Sequence, residues 1–159
     1  MALLEPDIEE AVDPVIGRTA ELLGGRRTLG RLVRSRLDAH DLIQAGIPAR
    51  ALAHLVSNVP IAREGGLEQA VGISLRTYQR RKEALDQPLS REQSGRTWKF
   101  AEILGRATEI MGSQQEAEQW LERPAIGLDE RRPIDLLSTP AGVQSVEDYL
   151  TRIEYGVYT

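Results

Sequence analysis

The stretch over residues 72–85 constrains the fold most, because it has the pattern of the second half of a helix-turn-helix. Its sequence is Gly-Ile-Ser-Leu-Arg-Thr-Tyr-Gln-Arg-Arg-Lys-Glu-Ala-Leu. Gly72 can adopt the left-handed conformation that ends a preceding helix, and Ser74 is a favourable N-cap for the next one. We therefore predict a tight turn at Gly72 followed by a helix over residues 75–85.

The face of this predicted helix away from its apolar edge carries side chains that suit DNA. Tyr78 and Leu85 lie on or near the apolar edge. Arginine, threonine and glutamine side chains meet phosphates and base edges in protein–DNA complexes. The residues predicted to contact DNA are Ser74, Arg76, Thr77, Gln79, Arg80 and Arg81. The simpler interpretation of the basic run at 80–82 is a solvated helix face, which is the usual role of such a charge run.

A short helix before the glycine turn completes the predicted motif. Leu67, Ala70 and Val71 have the spacing of one inner helix face, and helix, glycine turn and basic helix together are typical of a helix-turn-helix. Gly65 and Gly66 oppose an early start, because each glycine inside a helix costs about 1 kcal/mol relative to alanine. The glycine pair predicts that this helix either begins near Leu67 or is held mainly by packing.

Caps and apolar repeats predict helices along the rest of the chain, so the predicted class is all-α. Asp13 and Thr139 are each followed by a proline, which combines an N-cap with a residue preorganised for the first helical position. Ser35 and Ser90 each begin a capping box, and the second of these starts the longest predicted helix, over residues 91–111. Residues 26–33 are the only stretch that could be extended, and no sheet is predicted from them.

We divide the chain into two predicted domains. Residues 1–88 hold an N-terminal arm and the helix-turn-helix, and residues 89–159 form a small C-terminal helical domain. Residues 26–33 are predicted to be a loop between helices. Their glycine-rich start is not a phosphate-binding loop, because Arg31 and Leu32 stand where that motif needs lysine and then serine or threonine.

The composition excludes several classes of function. The formal net charge is -4 and cysteine is absent, which excludes disulfides, thiol catalysis and cysteine-bound metals. Neither a signal peptide nor an apolar run of about 20 residues occurs, so we expect a cytoplasmic protein without membrane contact. His40 and His54 have no partners spaced for a metal or catalytic site. We expect no cofactor, no metal and no enzymatic activity.

Charge is distributed unevenly along the chain. Arginine outnumbers aspartate and glutamate over residues 17–50, whereas acidic residues outnumber basic ones over residues 109–154. A basic first part and an acidic last part predict two surfaces with different partners.

The C-terminal half resembles a known domain. The segments that carry the resemblance keep their order and spacing, and they are residues 98–112, 115–121, 132–137 and 142–158. They resemble the Xre/MbcA/ParS toxin-binding domain, found in antitoxins that are paired with RES-domain toxins. The most specific piece is Arg-Ile-Glu-Tyr-Gly-Val-Tyr at residues 152–158. Upstream, the helix-turn-helix after Gly-Gly-Arg-Arg-Thr-Leu-Gly is also similar to the Xre-type antitoxin.

The resemblance implies a two-module antitoxin of a type II toxin–antitoxin system. Its partner would be a RES-family toxin that consumes NAD, and the antitoxin would block the active site of that toxin. The complex would repress its own operon by binding operator DNA. Because helix-turn-helix proteins usually bind palindromic sites as dimers, we also expect a homodimer.

Three of the four tyrosines fall within residues 149–159, where a helix is predicted to stop before a short tail. Tyrosine is large, semi-rigid and amphipathic, which suits it to anchor an interface. Together with the resemblance, this clustering predicts toxin contacts by Tyr149, Arg152, Glu154, Tyr155, Gly156, Val157, Tyr158 and Thr159. In the alternative interpretation, Tyr149 and Tyr155 pack on the core of their own domain.

Two other functions are compatible with parts of the sequence. The first is a helix-turn-helix transcriptional regulator whose C-terminal domain only dimerises or senses a ligand. The second is an enzyme or regulator that acts on a small molecule, which the missing histidine, cysteine and carboxylate constellations disfavour.

Overall fold

In the computed structural model, which describes residues 11–156, every regular element is helical, so the predicted all-α class is confirmed. The order along the chain is α1 (Pro14–Leu22), α2 (Gly25–Leu29), α3 (Arg36–Ala45), α4 (Ala49–Asn58), a kinked helical segment (Ala62–Val71), α5 (Leu75–Arg81), α6 (Arg91–Met111), α7 (Gln114–Glu122), two 3-10 turns (Ile126–Leu128 and Pro133–Leu136) and α8 (Pro140–Glu154). No helix in this described part is long and apolar enough to cross a membrane.

The predicted helix starts are confirmed by their hydrogen bonds. The Asp13 carboxylate accepts from the backbone N–H groups at the start of α1. Ser35 and Ser90 form complete capping boxes with the side chains three residues later, and the Thr139 hydroxyl accepts from the Gly142 N–H at 3.0 Å. Each cap satisfies N–H groups that have no partner inside the helix.

The loop predicted over residues 26–33 is wrong in its first half, where the chain forms α2. This helix lies between Gly24 and Gly30, which both have positive φ, 96° and 75° respectively. Leu29 is buried, and the Arg50 side chain of α4 donates to the Thr28 carbonyl at 2.6 Å. The short sequence of α2 shows little periodicity. The burial of Leu29 and the hydrogen bond from Arg50 therefore stabilise this helix.

The helix predicted over residues 75–85 is four residues too long, because α5 ends at Arg81. The chain then turns back so that the carbonyls of Leu85 and Gln87 accept from the N–H groups of Arg50 and Ala49, each at 2.9 Å. These are the first N–H groups of α4, which need acceptors. The chain after Arg81 therefore caps α4 instead of forming about one further turn of α5.

The glycine pair breaks the helix before α5, and the structure combines the two predicted alternatives, a start near Leu67 and support by packing. Glu64 and Gly65 have non-helical backbone angles, and Gly65 has φ of 106°. Gly66 follows in a site where a Cβ atom would lie 2.5 Å from the Ile61 carbonyl oxygen and 3.0 Å from the Ile134 side chain. The second half of the kinked segment therefore begins beside Leu67, and packing against Ile134 holds the break in place.

Helix α6 lies at the centre of the molecule. It contacts α1, α3 and the kinked segment on one side, and α7 and α8 on the other. Phe100, Ile103 and Leu104 are fully buried, and complete burial of each such side chain contributes about 1.5–3 kcal/mol. The same helix thus supplies core to the helix-turn-helix and to the C-terminal helices.

Candidate functional site

The turn of the helix-turn-helix is built as the sequence predicts. Gly72 has φ of 76° and ends the kinked segment, and the Ser74 hydroxyl accepts from the Thr77 N–H at 3.1 Å to start α5. Buried Ile73 and Tyr78 fasten the turn and α5 to the core. Burial also raises the pKa of Tyr78, because the charged phenolate would lose its hydration there.

An arginine from α6 forms hydrogen bonds to the backbone at the same turn. Arg96 donates to the carbonyls of Ala70 and Gln69 at 3.1 and 3.3 Å, and its guanidinium lies over Gly72, where a Cβ atom would collide with it. A cation at the carbonyl end of a helix is favoured electrostatically. Arg96 is not among the residues predicted from the sequence, because its only signal there is a basic residue inside a different helix.

The outer face of α5 offers several of the residues predicted to contact DNA. Arg76, Gln79 and Arg80 are exposed and Arg81 is half-buried. Within residues 11–156, none of the three arginines takes part in an ion pair. Their charges are therefore available to an anionic partner such as the DNA backbone.

Ser74 and Thr77 already have partners within the protein. The Ser74 hydroxyl donates to the Thr77 hydroxyl at 3.0 Å, in addition to capping α5. Both side chains are half-buried. They orient α5, and their predicted contact with DNA would have to share these hydroxyl groups.

In the C-terminal region, Tyr149 packs within its own domain. Its ring stacks on Trp120 with centroids 5.9 Å apart and planes 14° apart. The Arg152 guanidinium lies 5.8 Å from the centroid of the Tyr149 ring, a cation–π contact. One edge of the Tyr149 ring lies against the backbone of Gly127, where a Cβ atom would collide with the ring.

Arg106 of α6 clamps the end of α8. It donates to the Thr151 hydroxyl at 2.6 Å and to the Glu154 carboxylate at 3.3 Å, and it also reaches the Glu147 carbonyl. Glu154 therefore has an intramolecular partner. The clamp sets the direction in which the chain leaves α8.

Tyr155 and Gly156 follow this clamp. Tyr155 is 77% exposed, one of the highest values among the large apolar and aromatic residues described. Gly156 has φ of 70°, the left-handed conformation expected at a helix stop. Val157, Tyr158 and Thr159, which the sequence predicts to contact the toxin, lie outside the described residues.

Side chains of the C-terminal helices also hold the helix-turn-helix. Glu118 of α7 accepts from the Ile61 N–H at 2.8 Å, and Gln114 donates to the Asn58 carbonyl at 3.0 Å. Both contacts lie at the junction between α4 and the kinked segment. Ile134 packs on Gly66 just beyond. The helix-turn-helix and the C-terminal helices, which carry the two candidate surfaces, are thus joined by direct contacts.

Ionisable side chains in the described part form no cluster suited to a metal ion. The most connected group is Lys99, which contacts Glu102 and Glu147 at 3.2 and 3.0 Å. Burial by itself lowers the pKa of Lys99, but the two carboxylates raise it overall. This cluster links α6 to α8, with two carboxylates in contact with one ammonium group.

Comparison with known proteins agrees with this division into two surfaces. The model of the antitoxin Xre-like helix-turn-helix domain matches residues 38–102. The model of the antitoxin Xre/MbcA/ParS C-terminal toxin-binding domain matches residues 106–156. The first match ends within α6 and the second begins within the same helix.

Similar individual proteins carry the name Antitoxin Xre. One from Photorhabdus laumondii is 26% identical over 132 residues, which are 82% of this chain and 88% of that protein. One from Yersinia enterocolitica is 32% identical, over 67% of this chain and 70% of that protein. One from Pseudomonas putida is 30% identical, over 77% of this chain and 74% of that protein.

Proposed function

This chain belongs to the Xre family of antitoxins, and from that premise we propose that it inhibits a RES-family, NAD-consuming toxin and represses its own operon. One observation carries the proposal: a capped helix with exposed arginines and a helix end with an exposed tyrosine are held on one core. The first suits an anionic duplex, and the second suits a protein interface. We propose that the chain acts by binding, without catalysis of its own.

For DNA, the proposal is a homodimer that places two α5 helices in successive major grooves of a palindromic operator, about 34 Å apart. Arg76, Thr77 and Gln79 would lie nearest the base edges. Arg80 and Arg81, one turn further along, would lie nearest the phosphates. The support is the exposure of the arginine-bearing face and the rigid turn that orients it.

For the toxin, the proposal is that the end of α8 and the tail after it reach the mouth of the NAD site. A helix end with a short tail can enter a cleft that a broad helix face cannot. Tyr155 would be the anchor, because an aromatic side chain that becomes buried in an interface contributes about 2 kcal/mol or more. The terminal carboxylate of Thr159 would pair with toxin arginines that otherwise hold the NAD phosphates.

Co-expression tests the proposal directly. The full chain and the RES-domain toxin that we expect a neighbouring gene to encode are produced together, with a purification tag on one partner only. We expect the two proteins to purify together, and cellular NAD and growth to be maintained. A chain that binds its own promoter but captures no toxin, and leaves NAD depletion unchanged, would instead be a transcriptional regulator whose C-terminal domain serves another purpose.

A further inference from the structure

We propose that the loop over residues 125–131 is a second toxin contact, with Ile126 as its anchor. This inference rests on the proposed toxin partner and adds to it a surface separate from the tail. The sequence marks these residues only as a loop. Four features of the structure carry the inference: the closure of the loop, its backbone conformation, the exposure of Ile126 and the neighbours of the loop on α8.

The loop is closed by its own backbone. The Ala125 N–H donates to the Arg131 carbonyl at 3.1 Å, and the Ala125 carbonyl accepts from the N–H groups of Leu128 and Glu130 at 3.0 and 2.9 Å. Leu128 points inward and is buried, whereas Ile126 is 78% exposed. The loop therefore has one anchored side chain and presents the other to solvent.

Two consecutive non-glycine residues in this loop are left-handed. Asp129 and Glu130 have φ of 53° and 61°, a conformation that is costly for residues with a side chain. Such backbone persists only where the surrounding structure determines it, and it is found preferentially at functional sites. Here the hydrogen bonds to Ala125 and the burial of Leu128 hold the loop in this conformation. Ile126 is thus held in one place by a rigid support.

A single exposed apolar residue is ordinary on a protein surface, so the surroundings of Ile126 matter. The next residue, Gly127, packs its backbone against the Tyr149 ring. Arg152 lies over that ring and lines, with Asp129 and Asp148 among others, a cleft between the loop and α8.

Tyr155 is three residues beyond Arg152, about one helical turn further along the same side. Ile126 and Tyr155 therefore stand at the two ends of one strip, whose middle is the Tyr149–Arg152 pair. We call this the loop–α8 strip. Both ends are among the most exposed large side chains described, at 78% and 77%.

The position and the charge of the strip identify the toxin as its occupant. Residues 126–155 fall inside the match to the toxin-binding domain, and α5 lies in a different part of the molecule. The strip is edged by the exposed carboxylates of Asp129, Glu130 and Asp148. Arg131 pairs with Asp129 at 3.4 Å, so carboxylates still outnumber cations at this edge. Arginines are common partners of phosphate groups such as those of NAD, and acidic side chains beside an apolar anchor complement a cationic surface.

Replacement of Ile126 by serine in the full chain tests this inference. The purified variant is titrated against the RES-domain toxin, and its affinity is compared with that of the wild type. We expect binding at least about tenfold weaker, because the loss of a buried apolar anchor is among the larger single effects at interfaces. Ile126→Val should retain most of the affinity.

Leu37→Ser is the matched control. Leu37 is 74% exposed but lies on α3, so its replacement removes a similar exposed side chain and should leave toxin affinity unchanged. Thermal unfolding of all three variants checks that the fold is retained, which the exposure of both sites favours.

The outcomes separate the inference from the proposed function. If the wild type binds the toxin and Ile126→Ser binds equally well, the loop is not a contact and the proposed function stands. If the wild type does not bind the toxin, the proposed function fails first. If Ile126→Ser alters only self-association of the antitoxin, measured by light scattering, the strip belongs to a second copy of the chain and the inference is overturned.

Discussion

Arg80 and Arg81 are the residues on which the proposed DNA contact depends most directly. Each phosphate contact releases counterions, so affinity for DNA falls with salt by a slope of about -0.9 per contact on logarithmic axes. We predict that Arg80→Ala with Arg81→Ala weakens binding to the chain's own promoter and makes the slope less steep by about 1 to 2. Fluorescence anisotropy over a range of salt concentrations measures both.

The control for this pair removes two arginines from the other end of the molecule. Arg123 and Arg131 are exposed and belong to the C-terminal region, so their replacement by alanine changes the net charge equally. A salt slope that falls as much in this control as in the α5 variant would mean that only overall charge matters, which would contradict a phosphate contact by α5.

Gly127 shows how one residue can position a larger surface. A Cβ atom at this position would collide with the Tyr149 ring, so either the ring or the loop must move. We predict that Gly127→Ala lowers the free energy of unfolding by about 1–3 kcal/mol, the usual cost of overpacking. Urea denaturation followed by circular dichroism measures the change.

The same glycine-to-alanine substitution at Gly95 is expected to have the opposite effect on stability. It lies inside α6, and a Cβ atom there would be 3.8 Å from the nearest side chain, that of Ile43. Alanine is favoured over glycine in a helix by about 1 kcal/mol, so Gly95→Ala should raise stability. Equal destabilisation by both variants would show that Gly127 is not special.

At the level of the element, the cap of α3 gives a prediction about pH. The Asp38 carboxylate accepts from the N–H groups of Arg34 and Ser35 at 2.9 and 3.2 Å. The hydrogen bond from Arg34, reinforced by those from Ser35, lowers the pKa of Asp38 against the opposing effect of burial. A lowered folded-state pKa means that the cap stabilises the protein above the ordinary aspartate pKa, and that this contribution is lost as pH falls through the folded-state value.

We predict that Asp38→Asn is less stable than the wild type at pH 7 and that the difference shrinks toward zero below about pH 3.8, the ordinary value for aspartate. The measurement is urea unfolding of both proteins at a series of pH values. A difference that stays constant down to the lowest pH would show that the charge of Asp38 does not contribute to the cap.

At the level of the whole molecule, DNA binding and toxin inhibition are proposed to lie on separate surfaces. Deletion of residues 156–159 should therefore leave stability and promoter binding unchanged, because α8 ends before them. We predict that the deletion raises the residual NAD consumption of the purified toxin complex. The assay compares NAD loss with intact and shortened antitoxin at equal occupancy.

This deletion separates the tail from the rest of the strip. An antitoxin that inhibits fully without residues 156–159 would place inhibition on another part of the C-terminal domain, and the loop around Ile126 would then be the first surface to test. A simultaneous loss of promoter binding would contradict the separation of the two functions.

The local sequence was sufficient to predict most helix starts and stops. Asp13, Ser35, Ser90 and Thr139 all cap helices as predicted, and Gly72 forms the predicted left-handed turn. These signals work because a cap or a turn is completed within three or four residues. The resemblance to the antitoxin family, which rests on short motifs kept in order, is confirmed by the comparisons.

Only the tertiary structure decided the features that depend on distant partners. Helix α5 stops at Arg81 because the chain after it caps α4, and α2 forms because Leu29 is buried and Arg50 reaches its end. The exposure of Ile126 is likewise a tertiary feature, since the next two residues face inward, Gly127 against Tyr149 and Leu128 into the core. Local propensity differs by about 1 kcal/mol or less for most residues, so a single long-range contact is enough to override it.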